Sequence, residues 1–173
     1  SMLSSSMDLI KMEEGNYVLQ AQPVNLVSVL SEVRRELEPL AGNSGVDVEY
    51  TVDGAPVSWG ARLMLEGEKL YLSQAIANLV RNAVEASEDG DTVHVRVTSG
   101  DEYELEVHNR AAVPEDVRDV FFDRYATSGK SNGTGLGTYV ASLVTRVHHG
   151  HISFTTSEQE GTRVTVRLPV RQP

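Results

Sequence analysis

The sequence of 173 residues is 40% hydrophobic and 23% charged, a balance typical of a soluble globular domain rather than of a disordered chain. Its formal net charge of −10 opposes non-specific binding to nucleic acid or to anionic membranes, because those surfaces attract basic proteins. Cysteine is absent, so disulfides and thiolate zinc sites are excluded and a reducing, cytoplasmic location is expected. No apolar stretch approaches the roughly 20 residues that span a bilayer, so we expect no membrane insertion of this segment.

Apolar residues recur with helical or strand periods along the first third of the chain. Residues 7–14 predict a helix, and residues 17–19 can form a short strand. Residues 23–25 offer the start of an amphipathic helix, whose apolar stripe continues until Gly42 ends it. Residues 46–52 alternate as a half-buried strand does.

Long helices alternate with strand pairs in the rest of the chain. Two strands joined by a tight turn predict a hairpin, and two more strands close the sequence. Such strand pairs, separated by long helices, predict an α+β fold with a mixed or antiparallel sheet rather than a doubly wound one. The predicted helices cover residues 68–87, 114–125 and 136–147, and the predicted strands cover residues 92–98, 104–107, 151–156 and 162–168.

Two asparagines on the second long helix are the first candidates for chemistry. Asn78 and Asn82 are four residues apart, so their side chains lie on one side of the helix, beside its apolar stripe. An asparagine carbonyl is a hard oxygen ligand that suits Mg²⁺, which takes its other ligands from water and nucleotide phosphates. Taken alone, the pair also fits a solvent-facing helix surface, since asparagine is common outside cores.

A glycine- and serine-rich segment, residues 127–137, runs directly into the last long helix. Glycines let the backbone approach a ligand closely, and the amides at a helix N-terminus favour phosphate. Lys130 adds a mobile positive charge, and Arg124 can add a forked one. The segment lacks the preceding strand and the spacing of a P-loop or a dinucleotide-binding fingerprint, and taken alone it also fits a flexible linker.

Together these motifs resemble those of the GHKL ATPase superfamily, and within it the histidine-kinase catalytic domain. Residues 78–86 resemble the N box of the nitrogen-regulation type, residues 121–125 the F box and residues 133–137 the G2 box. Gly161-Thr162, followed by a strand, resembles the final glycine motif. The order and spacing agree over residues 23–169.

The resemblance implies a Bergerat-type fold, a two-layer α+β sandwich in which helices cover one face of a mixed, mostly antiparallel sheet. It implies ATP and Mg²⁺ as cofactors, and transfer of the γ-phosphoryl group to a histidine in an adjoining dimerisation domain of the same parent protein. A response regulator would be the downstream partner in two-component signalling. By the same match Asn82 would bind Mg²⁺, Asn78 would assist near the phosphates and Thr162 would lie near the adenine. The groups that would hold the phosphates are Lys130 and the backbone amides around Gly133, Gly135, Leu136 and Gly137.

One motif departs from the family pattern. Where the family has Asp-x-Gly-x-Gly, the ungapped match is His-Asn-Arg-Ala-Ala at residues 108–112. The family's aspartate accepts a hydrogen bond from the adenine amino group, which His108 or Asn109 could do only in a suitable tautomer or orientation. Both residues therefore stay candidates for adenine binding. The loss of both glycines removes backbone freedom beside the base and predicts weaker adenine recognition.

The chain is expected to have two parts. Residues 1–22 form an N-terminal tail, in which Ser1-Met2 is typical of an expression scar and residues 7–15 resemble the end of a dimerisation helix. Residues 23–173 form the catalytic domain. No histidine has the family's phosphoacceptor setting, so the acceptor is expected outside this sequence. The histidines around Gly150, which are His148, His149 and His151, are more typical of a helix end than of a metal site.

Two other functions remain open. A degenerate kinase-like domain would keep the fold but act as a partner-binding module with weak or no nucleotide binding, as the altered residues 108–112 allow. A self-contained ATPase of the gyrase or chaperone branch would need an N-box glutamate that activates water. The residue at that position is Asn78, which cannot act as a base.

Overall fold

The computed structural model describes residues 2–124 and 136–173, the side chains of residues 2–5 excepted. Its helices and strands follow the alternation that the sequence predicts. The helices are α1 (Met2–Glu14), α2 (Leu26–Ser44), α3 (Lys69–Glu85) and α4 (Gly137–Val147), with a 3-10 helix at Glu115–Val120. The strands are β1 (Gln22–Asn25), β2 (Asp47–Val52), β3 (Ala55–Pro56), β4 (Met64–Gly67), β5 (Thr92–Thr98), β6 (Glu102–Asn109), β7 (His151–Ser157) and β8 (Gly161–Pro169).

Six of these strands form the main sheet, in the order β3-β2-β5-β6-β8-β7. β2 and β5 pair in parallel, and the other neighbours pair antiparallel. β1 and β4 form a separate antiparallel pair. α3 contacts α2 on one side, α4 on the other and β5 and β6 beneath it. The expectation of a two-layer α+β sandwich, with a mixed and mostly antiparallel sheet and helices on one face, is confirmed.

The two faces of the sheet differ because side chains alternate along a strand. In β5 the side chains of Val93, Val95 and Val97 are buried in the core beneath the helices. His94 and Arg96, between them, are only partly buried and lie on the opposite face. We call that opposite surface the open face. The alternation therefore decides which residues of β6 and β8 can reach a site under the helices.

Asn25 determines where α2 begins. Its side-chain oxygen accepts hydrogen bonds from the backbone N–H groups of Val27 (3.1 Å) and Leu63 (2.9 Å), which caps the helix and anchors the chain before β4. The predicted end at Gly42 is wrong by two residues, since α2 runs to Ser44. Gly45 ends it in the left-handed region at φ 66°, and its N–H donates to carbonyls of the last turn, an arrangement that favours glycine.

Two further sequence predictions differ from the structure, and one is confirmed. Residues 17–19 lie outside any strand, because Tyr17 is held by tertiary contacts instead, its hydroxyl 2.6 Å from Glu68 Oε1. The helix start predicted at residues 23–25 is confirmed, since Asn25 is both the last residue of β1 and the N-cap of α2. The predicted helix over 114–125 shortens to the 3-10 helix, none of whose residues is buried, so no apolar face stabilises a longer helix there.

The remaining predicted elements are confirmed within a few residues, as is usual for element boundaries. None of the described helices is long and apolar enough to cross a bilayer.

Candidate functional site

Asn78 and Asn82, the asparagines of the predicted N box, lie on α3, and Asn78 lies where α4 begins. A Cβ built on Gly137 would lie 3.6 Å from the Cβ of Asn78, so the first turn of α4 lies directly against Asn78. The side-chain oxygen of Asn78 accepts a hydrogen bond from Arg81 (3.2 Å), and Asn78 is half-buried. Asn82, one turn further along α3, is exposed. The structure thus joins the N box to the start of the helix that follows the glycine-rich segment.

The start of α4 is also fixed to Phe121, in the segment that resembles an F box. Thr138 is buried, and its hydroxyl donates to the backbone oxygen of Phe121 over 2.7 Å. The ring of Phe121 stacks on Phe154 of β7 with centroids 4.3 Å apart, and Phe122 packs edge-on against both. The start of a helix is the place where its backbone amides lack partners within the helix and can bind an anion.

Asn109 and Thr162 form a second polar group on the helix side of the sheet. They face each other in the β6–β8 register, and both are buried, at 6% and 4% exposure. Asn109 Nδ2 and the Thr162 hydroxyl both donate to the backbone oxygen of Ala111, over 3.3 Å and 2.8 Å. The side-chain amide of Asn109 is therefore oriented, with its oxygen left to accept a hydrogen bond.

Gly161 permits this arrangement. Its φ is +76°, and a Cβ built on it would lie 2.2 Å from the backbone oxygen of Asn109. Both the backbone conformation and the close approach require glycine. The final glycine of the sequence motif thus brings the β7–β8 turn against the end of β6.

His108, the other candidate for the adenine contact, lies on the open face. Its ring stacks on that of His94 with centroids 6.1 Å apart, and its Nε2 lies 2.7 Å from the backbone oxygen of Glu160. Because neighbouring residues of a strand point to opposite faces, only Asn109 can face the helices. The tertiary structure therefore separates two residues that the sequence left as equal candidates.

Arg124 contacts α1 in this structure. A guanidinium nitrogen lies 2.7 Å from Glu13 Oε1, and the guanidinium carbon lies 5.4 Å from the centre of the Tyr139 ring. The Tyr139 hydroxyl donates to the other oxygen of Glu13 over 2.7 Å. The phosphate role predicted for Arg124 stays a prediction. The phosphate roles predicted for Lys130, Gly133 and Gly135 concern residues that lie outside the described part of the chain.

The docking of α1 is a feature that the sequence analysis missed. Met12 is buried at 1% exposure, and its backbone oxygen accepts a hydrogen bond from Arg146 of α4 over 3.0 Å. The hydroxyl of Tyr71 on α3 donates to Asp8. The helical periodicity of residues 7–14 predicts a helix, but it does not predict the surface on which that helix packs.

His148 and His149 lie at the end of α4, as predicted, whereas His151 is the first residue of β7. His148 is fully buried, and burial lowers its pKa below the ordinary value. His149 and His151 are exposed. Within the described residues no group of three or more histidine, aspartate or glutamate side chains is arranged to hold a metal ion.

Comparisons with known proteins identify the family of the chain. Residues 67–172 match the family described as Histidine kinase-, DNA gyrase B-, and HSP90-like ATPase. The chain is 34% identical over 113 residues to sporulation kinase B of Bacillus subtilis (strain 168), covering 64% of this chain and 26% of that protein. It is 30% identical over 159 residues to the C4-dicarboxylate transport sensor protein DctS of Rhodobacter capsulatus, covering 88% and 23%.

The fold is similar to the nucleotide-free catalytic domain of the histidine kinase ThkA. The TM-score is 0.75 at 22% sequence identity, and the match covers 88% of this chain and 97% of that domain. The chain spans about a quarter of the length of the two curated relatives.

Proposed function

Since the chain belongs to the histidine kinase-, DNA gyrase B- and HSP90-like ATPase family, we propose that it is the ATP-binding catalytic domain of a sensor histidine kinase. It transfers the γ-phosphoryl group of ATP to a histidine of an adjoining dimerisation domain. That histidine then passes the phosphoryl group to a response regulator. A P–N bond forms at the histidine while the bond to the bridging oxygen of ADP breaks. The protein's part is positioning and charge neutralisation.

The observation that carries the proposal is the contact of Asn78 with Gly137. This contact supports a polyphosphate site in which Asn78 of α3 and the backbone amides at the start of α4 would act together. Lys130, Gly133, Gly135 and Leu136 would contribute to the same phosphate site from the glycine-rich segment. Arg124 is proposed as a further phosphate ligand. This role requires that it break its ion pair with Glu13.

Asn82 is proposed as the protein ligand of Mg²⁺. It is exposed on α3, one turn beyond Asn78, and its amide oxygen is the hard, neutral donor that a mainly water- and phosphate-bound Mg²⁺ accepts. When bound, Mg²⁺ neutralises charge on the β- and γ-phosphates. Asn82 would orient the nucleotide through that contact.

Asn109 is proposed as the adenine-recognising residue, with Thr162 beside it. Since its Nδ2 donates to Ala111, its oxygen is directed away from that carbonyl and can accept a hydrogen bond from the adenine amino group. Guanine carries a carbonyl oxygen at the corresponding position, which the same acceptor would repel. An amide acceptor therefore replaces the family's aspartate while preserving the preference for adenine.

Residues 1–22 are proposed as the end of the dimerisation helix and its connection to the catalytic domain at residues 23–173. The docked α1, through Met12 and Glu13, supports a physical link between the two. We propose a cytoplasmic location, where ATP and the response regulator are found.

Calorimetric titration with a non-hydrolysable ATP analogue and Mg²⁺ tests the assignment. Asn82→Ala is expected to weaken Mg²⁺-dependent binding about tenfold, the effect of losing roughly 1.4 kcal/mol. Asn43→Ala, an exposed asparagine on α2, is the matched control and is expected to bind as the wild type does. Unchanged binding by Asn82→Ala would refute its metal role.

A partner-binding module without nucleotide chemistry is the second candidate, motivated by the altered residues 108–112. It predicts that no ATP analogue raises the melting temperature even at millimolar concentration, since a ligand specific for the native state must stabilise it. Binding of the analogue, followed by phosphoryl transfer to an added dimerisation domain, would eliminate this candidate.

A further inference from the structure

Two histidines and one carboxylate lie in a row across the open face. In the strand registers Glu49 of β2 is opposite His94 of β5, and His94 is opposite His108 of β6. This row lies on the face away from α3 and α4, so it is separate from the proposed nucleotide site. The two imidazole rings are nearly parallel, inclined by 21°.

The hydrogen bonding of His108 leaves one ring nitrogen available as a ligand. A backbone oxygen only accepts, so the contact of Nε2 with Glu160 fixes the proton on Nε2. Nδ1 then carries the lone pair, and this buried atom has no hydrogen-bond partner among the residues that the structure describes. Histidine ligands commonly donate their other N–H to a backbone carbonyl in this way.

His94 is oriented by a carboxylate. Its Nδ1 lies 3.3 Å from Glu49 Oε2, so the Nδ1 proton points at Glu49 and Nε2 keeps the lone pair. Burial lowers the pKa of His94 most, and the nearby positive charge of Arg96 lowers it further. A metal ion binds a neutral imidazole through a ring-nitrogen lone pair such as the one that Nε2 keeps here.

The charges around the two rings are largely paired with each other. Glu106 of β6 accepts from Arg96 over 2.8 Å, and the side chain of Arg163 on β8 lies 3.7 Å from the same carboxylate. Glu160 lies 3.6 Å from another nitrogen of Arg163. With Glu49 on the remaining side, carboxylates offset the two arginines, so a cation can approach the histidines.

We propose that His94 and His108 bind one divalent transition-metal ion of the class that prefers imidazole, such as Zn²⁺ or Ni²⁺. The ion would take Nε2 of His94 and Nδ1 of His108, with water completing its coordination. Two bonds of about 2.1 Å each fit between rings whose centroids are 6.1 Å apart. Both lone pairs point at one ion only after a ring rotates. His94 is the ring that can rotate more freely, because its contact with Glu49 is 3.3 Å long.

Thermal unfolding of the metal-stripped, tag-free chain with added Ni²⁺ or Zn²⁺ tests this site. A saturable rise in melting temperature with one ion per chain is expected, because an ion that binds only the folded chain stabilises it. His94→Gln is expected to weaken the ion's affinity at least tenfold, and His108→Gln likewise. His151→Gln is the matched control, an exposed histidine of β7 at the sheet edge, and should retain the full rise.

Calorimetry without nucleotide supplies the stoichiometry, and Mg²⁺ serves as the ion control because it disfavours imidazole. The proposal is overturned if neither ion raises the melting temperature at millimolar concentration, or if His94→Gln retains the full effect. Should His108→Gln not fold, His94→Gln decides the outcome, since its partner Glu49 is an exposed side chain.

Discussion

The ring of His148 joins the end of α4 to the start of α3. Its Nε2 accepts a hydrogen bond from the backbone N–H of Glu68 over 3.0 Å, while its Nδ1 donates to the backbone oxygen of Val144 over 2.8 Å. The ring also leaves no space beside Gly67, where a Cβ would lie 2.8 Å from its Cδ2. Both nitrogens are used only in the neutral form with the proton on Nδ1.

Acid is therefore expected to destabilise the fold through His148. Burial lowers its pKa below the ordinary value of 6.5, so the unfolded chain takes up a proton at a pH where the folded chain does not. The contribution of His148 to the free energy of unfolding is fully present above pH 6.5. It is lost as the pH falls from 6.5 towards the pKa of His148 in the folded chain. Urea unfolding at about pH 7.5 and about pH 5.5 measures this loss.

His148→Gln is expected to reduce that pH dependence while lowering stability near neutral pH by about 1–3 kcal/mol, because a flexible glutamine does not reproduce both buried hydrogen bonds of the rigid ring. His151→Gln, at an exposed position, should leave both quantities unchanged. His94 also has a lowered pKa, so only the difference between wild type and His148→Gln isolates His148. If wild type and His148→Gln lose equal stability between the two pH values, the assignment is contradicted.

Gly161 and Gly42 should respond in opposite directions to alanine. Gly161→Ala combines a positive φ with a Cβ 2.2 Å from the Asn109 backbone oxygen, so we expect a loss of more than about 2 kcal/mol. Gly42→Ala adds a methyl group inside α2 with nothing within 4 Å, and we expect a gain of about 0.5–1 kcal/mol. Denaturant unfolding of both variants checks the pair. Similar effects at the two sites would show that the Gly161 contact is relieved by local movement.

Glu13 should control how firmly α1 is held. Glu13→Ala removes the acceptor of both Arg124 and Tyr139, and hydrogen exchange in residues 6–14 is expected to become about tenfold faster, the effect of roughly 1.4 kcal/mol. Glu14→Ala changes the exposed neighbour and serves as the control. Equal acceleration in the two variants would mean that helix propensity, not docking, governs α1.

Asn109 and His108 should differ in their effect on nucleotide affinity. Asn109→Leu keeps the volume but removes the acceptor, and a loss of about tenfold in ATP affinity is expected for one missing hydrogen bond. His108→Gln, changed on the open face, should shift the affinity less than about twofold when only Mg²⁺ is present. A larger loss in His108→Gln than in Asn109→Leu would reverse the assignment of the adenine contact.

The sequence by itself determined the elements and their chemistry. The four-residue spacing of Asn78 and Asn82 fixes them on one side of a helix, and the alternation of residues 104–107 predicts a strand. These are local properties, since the helical and strand periods act over a few residues. The family motifs likewise follow from order and spacing alone.

Only the tertiary structure decided which face α3 covers, and hence that Asn109, not His108, lies on the helix side. It also decided that α2 continues past Gly42 to the left-handed Gly45, and that Glu13 meets Arg124, a residue 111 positions away in the sequence. Such choices depend on packing between distant segments, because burial and hydrogen-bond partners belong to the assembled layers and not to any short stretch of chain.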